Sequence, residues 1–421
     1  MGQLVSIILA QADGTMMNSS CDKAFHKICG STLLDYAIDA SKEAGSEAFA
    51  IFIRNNIENA ELPENSVLLV NEKPCIGQAI FEGLNLCNEG TILVLGVDTP
   101  AITGETLKSA YEYHKQQGNL ITFLTDKEDT GFQNSEICFL EVQTLSKILS
   151  ELRNNADETV DLSDIINEAV LRGNKTGAYV VKDTQELLKV NDRKQLNEAE
   201  HVILRRIINK HMENGVTFHL PETCMIDKNV KIGRDTVIYP GTILEGETVI
   251  GENCVIGPNS RIENGLIGNN VRFENSVMTQ SQVGDNTNVG PFAYIRPGSK
   301  IGQNVKIGDF VEVKNSNIGD KTKVSHLSYV GDADIGKNVN IGCGGVVVNY
   351  DGRKKHRTVV GDNAFIGCNV NLVSPVVVNE HAYIAAGSTI TDEVPAYSLA
   401  IARSRQTIKE NWVREKGLDK K

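Results

Sequence analysis

From about residue 226 onward one pattern recurs every six residues: an aliphatic side chain followed by glycine or another small residue. It runs through IGRDTV (232–237), IYPGTI (238–243), IGENCV (250–255) and IGPNSR (256–261). It continues through VGDNTN (283–288), IGQNVK (301–306) and IGDFVE (307–312), and persists in IGKNVN (335–340), IGCGGV (341–346) and IGCNVN (366–371). Repetition at this period predicts a parallel β-helix. The aliphatic residue points inward and stacks on its equivalent in the next coil. The glycine, aspartate or asparagine after it is expected at a corner, where backbone angles disfavour a bulky Cβ. A meander of hairpins would instead need Asn-Gly turns at regular spacing. Stacked coils leave two open ends. An amphipathic helix over 193–213, striped by Leu196, Ala199, Ile203 and Ile207, is expected to cap one end. The tail from 396 is expected to cap the other.

The first half follows a different pattern. Residues 1–220 hold 14 of the 37 glycines and 3 of the 10 prolines. Apolar runs at Leu4–Ala10, Ala48–Ile53, Val67–Val70 and Thr91–Val97 alternate with helical spacing over 32–44, 76–87 and 104–117. That alternation predicts a doubly wound parallel sheet with helices on both faces. Ligands of such sheets bind at the carboxyl ends of strands. The loop after the first strand, 11–20, and Asp98 are therefore the places to look.

Composition narrows the function classes. Lys+Arg is 42 against Asp+Glu 54, a formal charge of −12, with 5% aromatics. Non-specific nucleic-acid binding needs the opposite balance, so no nucleic-acid partner is expected. No run of 18 apolar residues exists, so no membrane insertion is expected. The nine scattered cysteines, with no Cys-x-x-Cys, read as reduced thiols of a cytoplasmic protein.

Two interruptions of the hexads attract attention. At 347–359 the run VVNYDGRKKHRTV carries four basic residues within 353–357, suited to an anionic ligand. Close by, VSHLSY (324–329) sets His326 in a strand register. A carbonic anhydrase of similar architecture would need three metal-binding histidines. Between Phe218 and Lys355 only His219 and His326 occur.

The stretches NDRKQLNEAE, VGPFAYIRPGS, IGDFVEVKNS, VSHLSYVGDADIGKNVNIGCG, NYDG, FIGCN, IAAGSTIT and AIARSRQ lie between about 190 and 412. They closely resemble the acetyltransferase half of the bifunctional bacterial N-acetylglucosamine-1-phosphate uridyltransferase/glucosamine-1-phosphate N-acetyltransferase family. The resemblance implies a left-handed β-helix acyltransferase that uses acetyl-CoA as cosubstrate. It makes His326 the general base that deprotonates the sugar amine, a task suited to a histidine near neutral pH. It makes Arg296, Lys314 and Lys355 the holders of glucosamine 1-phosphate, with Tyr329 and Asn340 as further substrate contacts. Asn349, Tyr350, Cys343, Cys368, Ala386 and Arg403 fall at acetyl-CoA positions. It also implies a homotrimer whose sites draw on more than one chain. The domain plan that follows is 1–190 nucleotidyltransferase-like, 191–225 connecting arm, 226–395 β-helix and 396–421 tail.

Residues 1–190 resemble the uridyltransferase domain of the same family, but in shortened form. The family's Leu-Ala-Ala-Gly-x-Gly-Thr-Arg-Met phosphate loop reads here Leu9-Ala10-Gln11-Ala12-Asp13-Gly14-Thr15-Met16-Met17. Ala12 adds a Cβ where the triphosphate passes, Asp13 adds like charge, and Met16 removes the neutralising arginine. Gly14, Lys23 and Gly77 remain as parts of the nucleotide site, and Asp98 and Asn191 match its Mg²⁺ pair. The uracil-reading segment has become Glu72 and Gly77-Gln78, and the sugar-pocket motifs are missing. The half is roughly thirty residues short of the family's layout. The expectation is an N-acetyltransferase acting in UDP-N-acetylglucosamine synthesis, with uridyl transfer lost or weak. The alternatives are a fully bifunctional enzyme and a non-catalytic homologue.

Overall fold

The computed structural model describes residues 3–10, 15–54, 62–70, 76–87, 89–127, 137–155 and 162–419. The chain divides into two compact units, residues 1–206 and 207–421. The division falls inside the helix Arg193–Glu213, whose apolar stripe buries Ala199 and Ile203 and then Ile208 in place of Ile207.

The first unit is built on a seven-stranded sheet. Its order is Ser66–Val70, Ala48–Ile53, Gln3–Leu9, Gly90–Gly96, Cys138–Glu141, Ile121–Thr125, Thr176–Val180. All neighbours are parallel except Cys138–Glu141, which runs antiparallel to both of its partners. The expected all-parallel sheet is therefore mixed. The crossover through helix Gly104–Gln117 leaves one strand position open, and a later segment fills it from the opposite direction. Apolar periodicity carries burial and says nothing of strand direction. Ile7, Ile92, Val94, Ile121, Phe123, Cys138 and Leu140 share one core with the helices packed on it.

The second unit is a three-sided left-handed parallel β-helix with sheets of 11, 10 and 9 short strands. Along the coils up to Tyr383–Ile384 the strands pair with the third one after them, so each coil sits in register on the last. One inward column runs Ile238, Ile256, Phe273, Val289, Ile307, Val324, Ile341, Ile366, Ile384, every member buried. Burial at about 1.5–3 kcal/mol per large side chain makes such columns the main stabilising term.

The glycine after the aliphatic residue has a different role from the one expected. Gly251 and Gly302 do not adopt positive φ. A Cβ on Gly251 would meet the Gly268 carbonyl oxygen at 2.5 Å, and one on Gly302 the Asp320 amide nitrogen at 2.9 Å. Close stacking of coils is what requires them. The left-handed corners lie two residues later, at Asn253, Asn270, Asn286, Asn304, Asn338 and Asn363, with φ between 54° and 59°. Asparagine tolerates that conformation better than most residues.

At the amino end, Ile208 is buried and His211 packs on Phe218 with centroids 6.5 Å apart, so the last turns of the long helix cover the first coil. The tail does not close the other end. Leu399–Ala400 adds a last rung on Tyr383–Ile384, and every described residue from 401 to 419 is exposed. The tail leaves the solenoid, with Ile401, Ile408, Trp412 and Val413 uncovered within the chain.

Candidate active site

The β-helix register sets the site out in columns. Ile307, Val324, Ile341, Ile366 and Ile384 are in register, so the residues two places later stack at one corner. Those residues are Asp309, His326, Cys343, Cys368 and Ala386. Successive coils lie about 4.8 Å apart. His326 therefore has Asp309 one coil below it and the three implied acetyl-CoA positions on the coils above. Backbone bonds tie this corner together. Asn369 N donates to Cys343 O at 2.8 Å, and Gly387 N to Cys368 O at 2.8 Å. Arg403 lies over Gly387 at the top of the column, its Cδ 3.6 Å from where a Cβ would stand.

His326 Nδ1 and Asp309 Oδ1 are 2.5 Å apart, on residues paired across adjacent strands. The hydrogen bond from His326 holds the Asp309 carboxyl below its usual range. A carboxylate at Nδ1 selects the tautomer protonated there and leaves Nε2 able to accept a proton. Asp309 is not among the residues that the sequence singles out. Its signal was the spacing of 17 residues to His326, one coil of the solenoid, inside the IGDFVE hexad.

A second column lies on the next face. Ile295, Val313 and Val330 are in register, and so are Lys314 and Gly331. Arg296 Nη1 pairs with Glu312 Oε1 at 2.8 Å. Lys314 Nζ reaches Asp332 Oδ2 at 3.0 Å, and both groups are largely buried. Lys355 stands beside Lys314. The closeness and like charge of that neighbour pull Lys355 below the ordinary lysine range, and Arg296 acts in the same direction. The structure thus gathers Arg296, Lys314 and Lys355 and sets Glu312 and Asp332 among them. Three cations against two carboxylates leave a net positive cradle for an anion. Tyr329 belongs to it as well. Its ring lies over Gly331, where a Cβ would meet the Cζ atom at 2.5 Å.

The excursion at 347–359 is an ordered hairpin. Tyr350 and Lys355 form an antiparallel bridge. Asp351 accepts from the backbone of Arg353 at 2.7 Å and Lys354 at 2.6 Å, and from His356 Nε2 at 2.7 Å. Those bonds lower its pKa to about 2. Of the four basic residues there, Arg357 is committed to Asp334 at 2.5 Å and turns away from any ligand role. Asn349 is buried at the root of the hairpin, its Nδ2 2.5 Å from Asp332 Oδ2 and 3.4 Å from the Tyr329 hydroxyl. Asn340 lies apart from this cradle. It sits at the opening of its strand, between Lys323 below and Phe365 above.

In the first unit Gly14 lies outside the described residues. Lys23 is buried and donates to Asn191 Oδ1 at 3.0 Å. Val190 N donates to Asp98 O at 2.7 Å, so Lys23, Asp98 and Asn191 converge at the carboxyl end of the strand Gly90–Gly96. Gly77 is buried in the first turn of helix Ile76–Leu86. Met16 is exposed. Arg193 Nε donates to Met17 O at 3.2 Å. Among the described residues no group of three His, Cys, Asp or Glu side chains is placed to hold a metal ion, and no helix is long and apolar enough to cross a membrane.

Comparison with known proteins agrees with this division. Residues 6–174 match the MobA-like NTP transferase domain, 209–313 the EIF2B subunit epsilon LbH domain, and 277–384 the GMPPB C-terminal domain. The "Bifunctional protein GlmU" of Acetivibrio thermocellus is 45% identical, covering 99% of this chain and 98% of its own. That of Caldanaerobacter subterraneus subsp. tengcongensis is 46% identical, covering 99% of each. That of Alkaliphilus metalliredigens is 42% identical with both chains fully covered. The last alignment runs 456 positions against a chain of 421 residues, which leaves about 35 positions without a counterpart here.

Proposed function

Since relatives at 42–46% identity match it from end to end, this chain belongs to the bifunctional GlmU family, and we propose that its β-helix unit transfers acetyl from acetyl-CoA to the amine of glucosamine 1-phosphate. The observation that carries the proposal is the His326–Asp309 pair at 2.5 Å, stacked beneath the column of Cys343, Cys368 and Ala386 and beside the cation cradle.

The cradle of Arg296, Lys314 and Lys355 takes the sugar phosphate, with Tyr329 against the ring. Asp309 holds Nδ1–H, and His326 Nε2 accepts the amine proton as nitrogen bonds to the thioester carbonyl carbon. The tetrahedral adduct collapses with loss of the CoA thiolate, which is protonated. Asn340 steadies the developing oxyanion. Holding base, amine and thioester together supplies much of the rate.

Assembly as a homotrimer is part of the proposal. Phe292, Phe310 and Leu327 form an outward ladder beside His326, each more than half exposed and each at positive φ, a costly conformation for bulky side chains. Phe292 and Phe310 stack 5.5 Å apart. Neighbouring chains would cover this ladder and the uncovered tail, and would bring Asn340 to the site. The eight described cysteines are free thiols, which suits the cytoplasm.

For the first unit, the relatives' names favour the bifunctional alternative over the loss of uridyl transfer expected from Ala12, Asp13 and Met16. The convergence of Lys23, Asp98 and Asn191 favours it too. Asp98 and Asn191 would hold Mg²⁺ through oxygen, and Lys23 would meet phosphate. One assay tests both readings. Acetyl-CoA and glucosamine 1-phosphate are supplied with and without UTP and Mg²⁺, and CoA and pyrophosphate are measured. CoA release without UTP is expected; its absence overturns the acetyltransferase. Pyrophosphate release that follows CoA release favours the bifunctional reading, and none favours loss.

A further inference from the structure

Asp332 is the most heavily engaged carboxylate near the cradle, and nothing in the proposed reaction uses it. It is buried at a left-handed corner, φ 50°. Lys314 Nζ reaches its oxygens at 3.2 and 3.0 Å, Asn315 Nδ2 donates to Oδ1 at 2.6 Å, and Asn349 Nδ2 donates to Oδ2 at 2.5 Å. Burial pushes its pKa up, yet the bonds from Asn315, Lys314 and Asn349 keep it below the usual carboxylate range. Its backbone is equally committed. Asp332 N donates to Lys314 O at 2.9 Å, and Thr358 N donates to Asp332 O at 3.1 Å. One residue therefore grips the coil below through Lys314 and Asn315. It also grips both legs of the hairpin above, through Asn349 on the way out and Thr358 on the way back.

We infer that Asp332 is a positioning residue that locks the amino-sugar phosphate cradle and the acetyl-CoA contact of Asn349 into one rigid unit, so that the two substrate sites are set by a single carboxylate. This rests on the acetyltransferase reading above. The chemistry explains the choice of residue. A carboxylate offers acceptors for three donors at once and carries the charge that offsets the adjoining Lys314 and Lys355 ammoniums. An amide in its place would point an N–H₂ at Asn315 or Asn349 and lose that charge.

The test is Asp332→Asn in the full chain, with Arg296→Ala and Arg403→Ala for comparison. Loss of charge-assisted hydrogen bonds of this kind corresponds to about a ten-fold change or more. In D332N the KM values for glucosamine 1-phosphate and for acetyl-CoA are expected to rise together by about that factor. R296A raises chiefly the first and R403A chiefly the second. Hydrogen exchange without substrates supplies a readout independent of turnover: the amides of His356 and Thr358 exchange faster in D332N than in wild type. A folded D332N with only one KM raised, or with exchange over 349–358 unchanged, overturns the inference. If D332N does not fold, Asn315→Ala carries the same exchange test on the other arm of the carboxylate. Wild-type chain without acetyl transfer sinks the functional reading instead, and the exchange comparison still decides the tie.

Discussion

Gly308 lies between Ile307 and Asp309, directly beneath the rung that carries His326. A Cβ there would meet the Ser325 carbonyl carbon at 2.7 Å and its Cα at 3.1 Å, with the carbonyl oxygen nearer still. These are backbone atoms, so no rotamer change relieves the clash. The oxygen sets the requirement: restoring ordinary contact with it parts the two coils by about 1 Å or more. The Asp309–His326 bond, 2.5 Å now, would then stretch to the edge of hydrogen-bonding distance. Misplacement of a catalytic group by about 1 Å can cost about 100-fold in rate. Gly308→Ala is therefore expected to lower kcat for acetyl transfer by one to two orders of magnitude, alongside a destabilisation of about 1–3 kcal/mol from overpacking. Gly268→Ala is the control. It puts a similar lesion in a distant coil, 2.8 Å from the Asp285 amide nitrogen, and should lower the melting temperature while leaving kcat near wild type. Steady-state kinetics with calorimetry on both variants decide the matter. A folded G308A with kcat within two-fold of wild type, or a G268A that loses as much activity, refutes the geometric reasoning.

Three further outcomes follow from the same structure. Alkylation of the exposed Cys368 should block acetyl transfer and be slowed by acetyl-CoA, while Cys368→Ser stays active and resists the reagent; mass spectrometry with activity checks this. Lys355 loses its proton below the ordinary lysine range because Lys314 adjoins it. The KM for glucosamine 1-phosphate should thus climb with rising alkaline pH, and Lys314→Met should move that climb to higher pH, read from KM–pH profiles. His114 is buried and neutral in the first unit, with a pKa of about 4 against 6.5 when free. The unfolded chain therefore binds the proton first, and the stability of that unit should fall by roughly 3 kcal/mol as pH drops from 6.5 towards 4. Urea unfolding across that range, with His114→Gln abolishing most of the slope, tests it.

The β-helix was legible because its period is written in side-chain size, and the inward stack of Ile307, Val324 and Ile341 follows directly from it. What periodicity could not carry is which residue of each hexad turns the corner. Glycine is needed for coil-to-coil approach, and asparagine two places on takes the left-handed turn. The antiparallel course of Cys138–Glu141 in the seven-stranded sheet was hidden for a related reason, since its apolar residues read the same in either direction. Of the site, His326 and the three cations could be named from the resemblance. Asp309 and Asp332 could not, because their roles arise only when coils 17 residues apart are laid on one another. Asn340 was named as a substrate contact, yet within one chain it stands off the cradle.

In the proposed transfer the imidazole of His326 accepts the amine proton. Its most direct measurement is the single-turnover rate of acetyl transfer by His326→Ala beside wild type, with melting temperatures taken on the same samples. The side chain is half exposed, so its loss should leave the fold intact and slow the transfer about 10²–10⁴-fold. A well-folded variant that acetylates glucosamine 1-phosphate at the wild-type rate would contradict it.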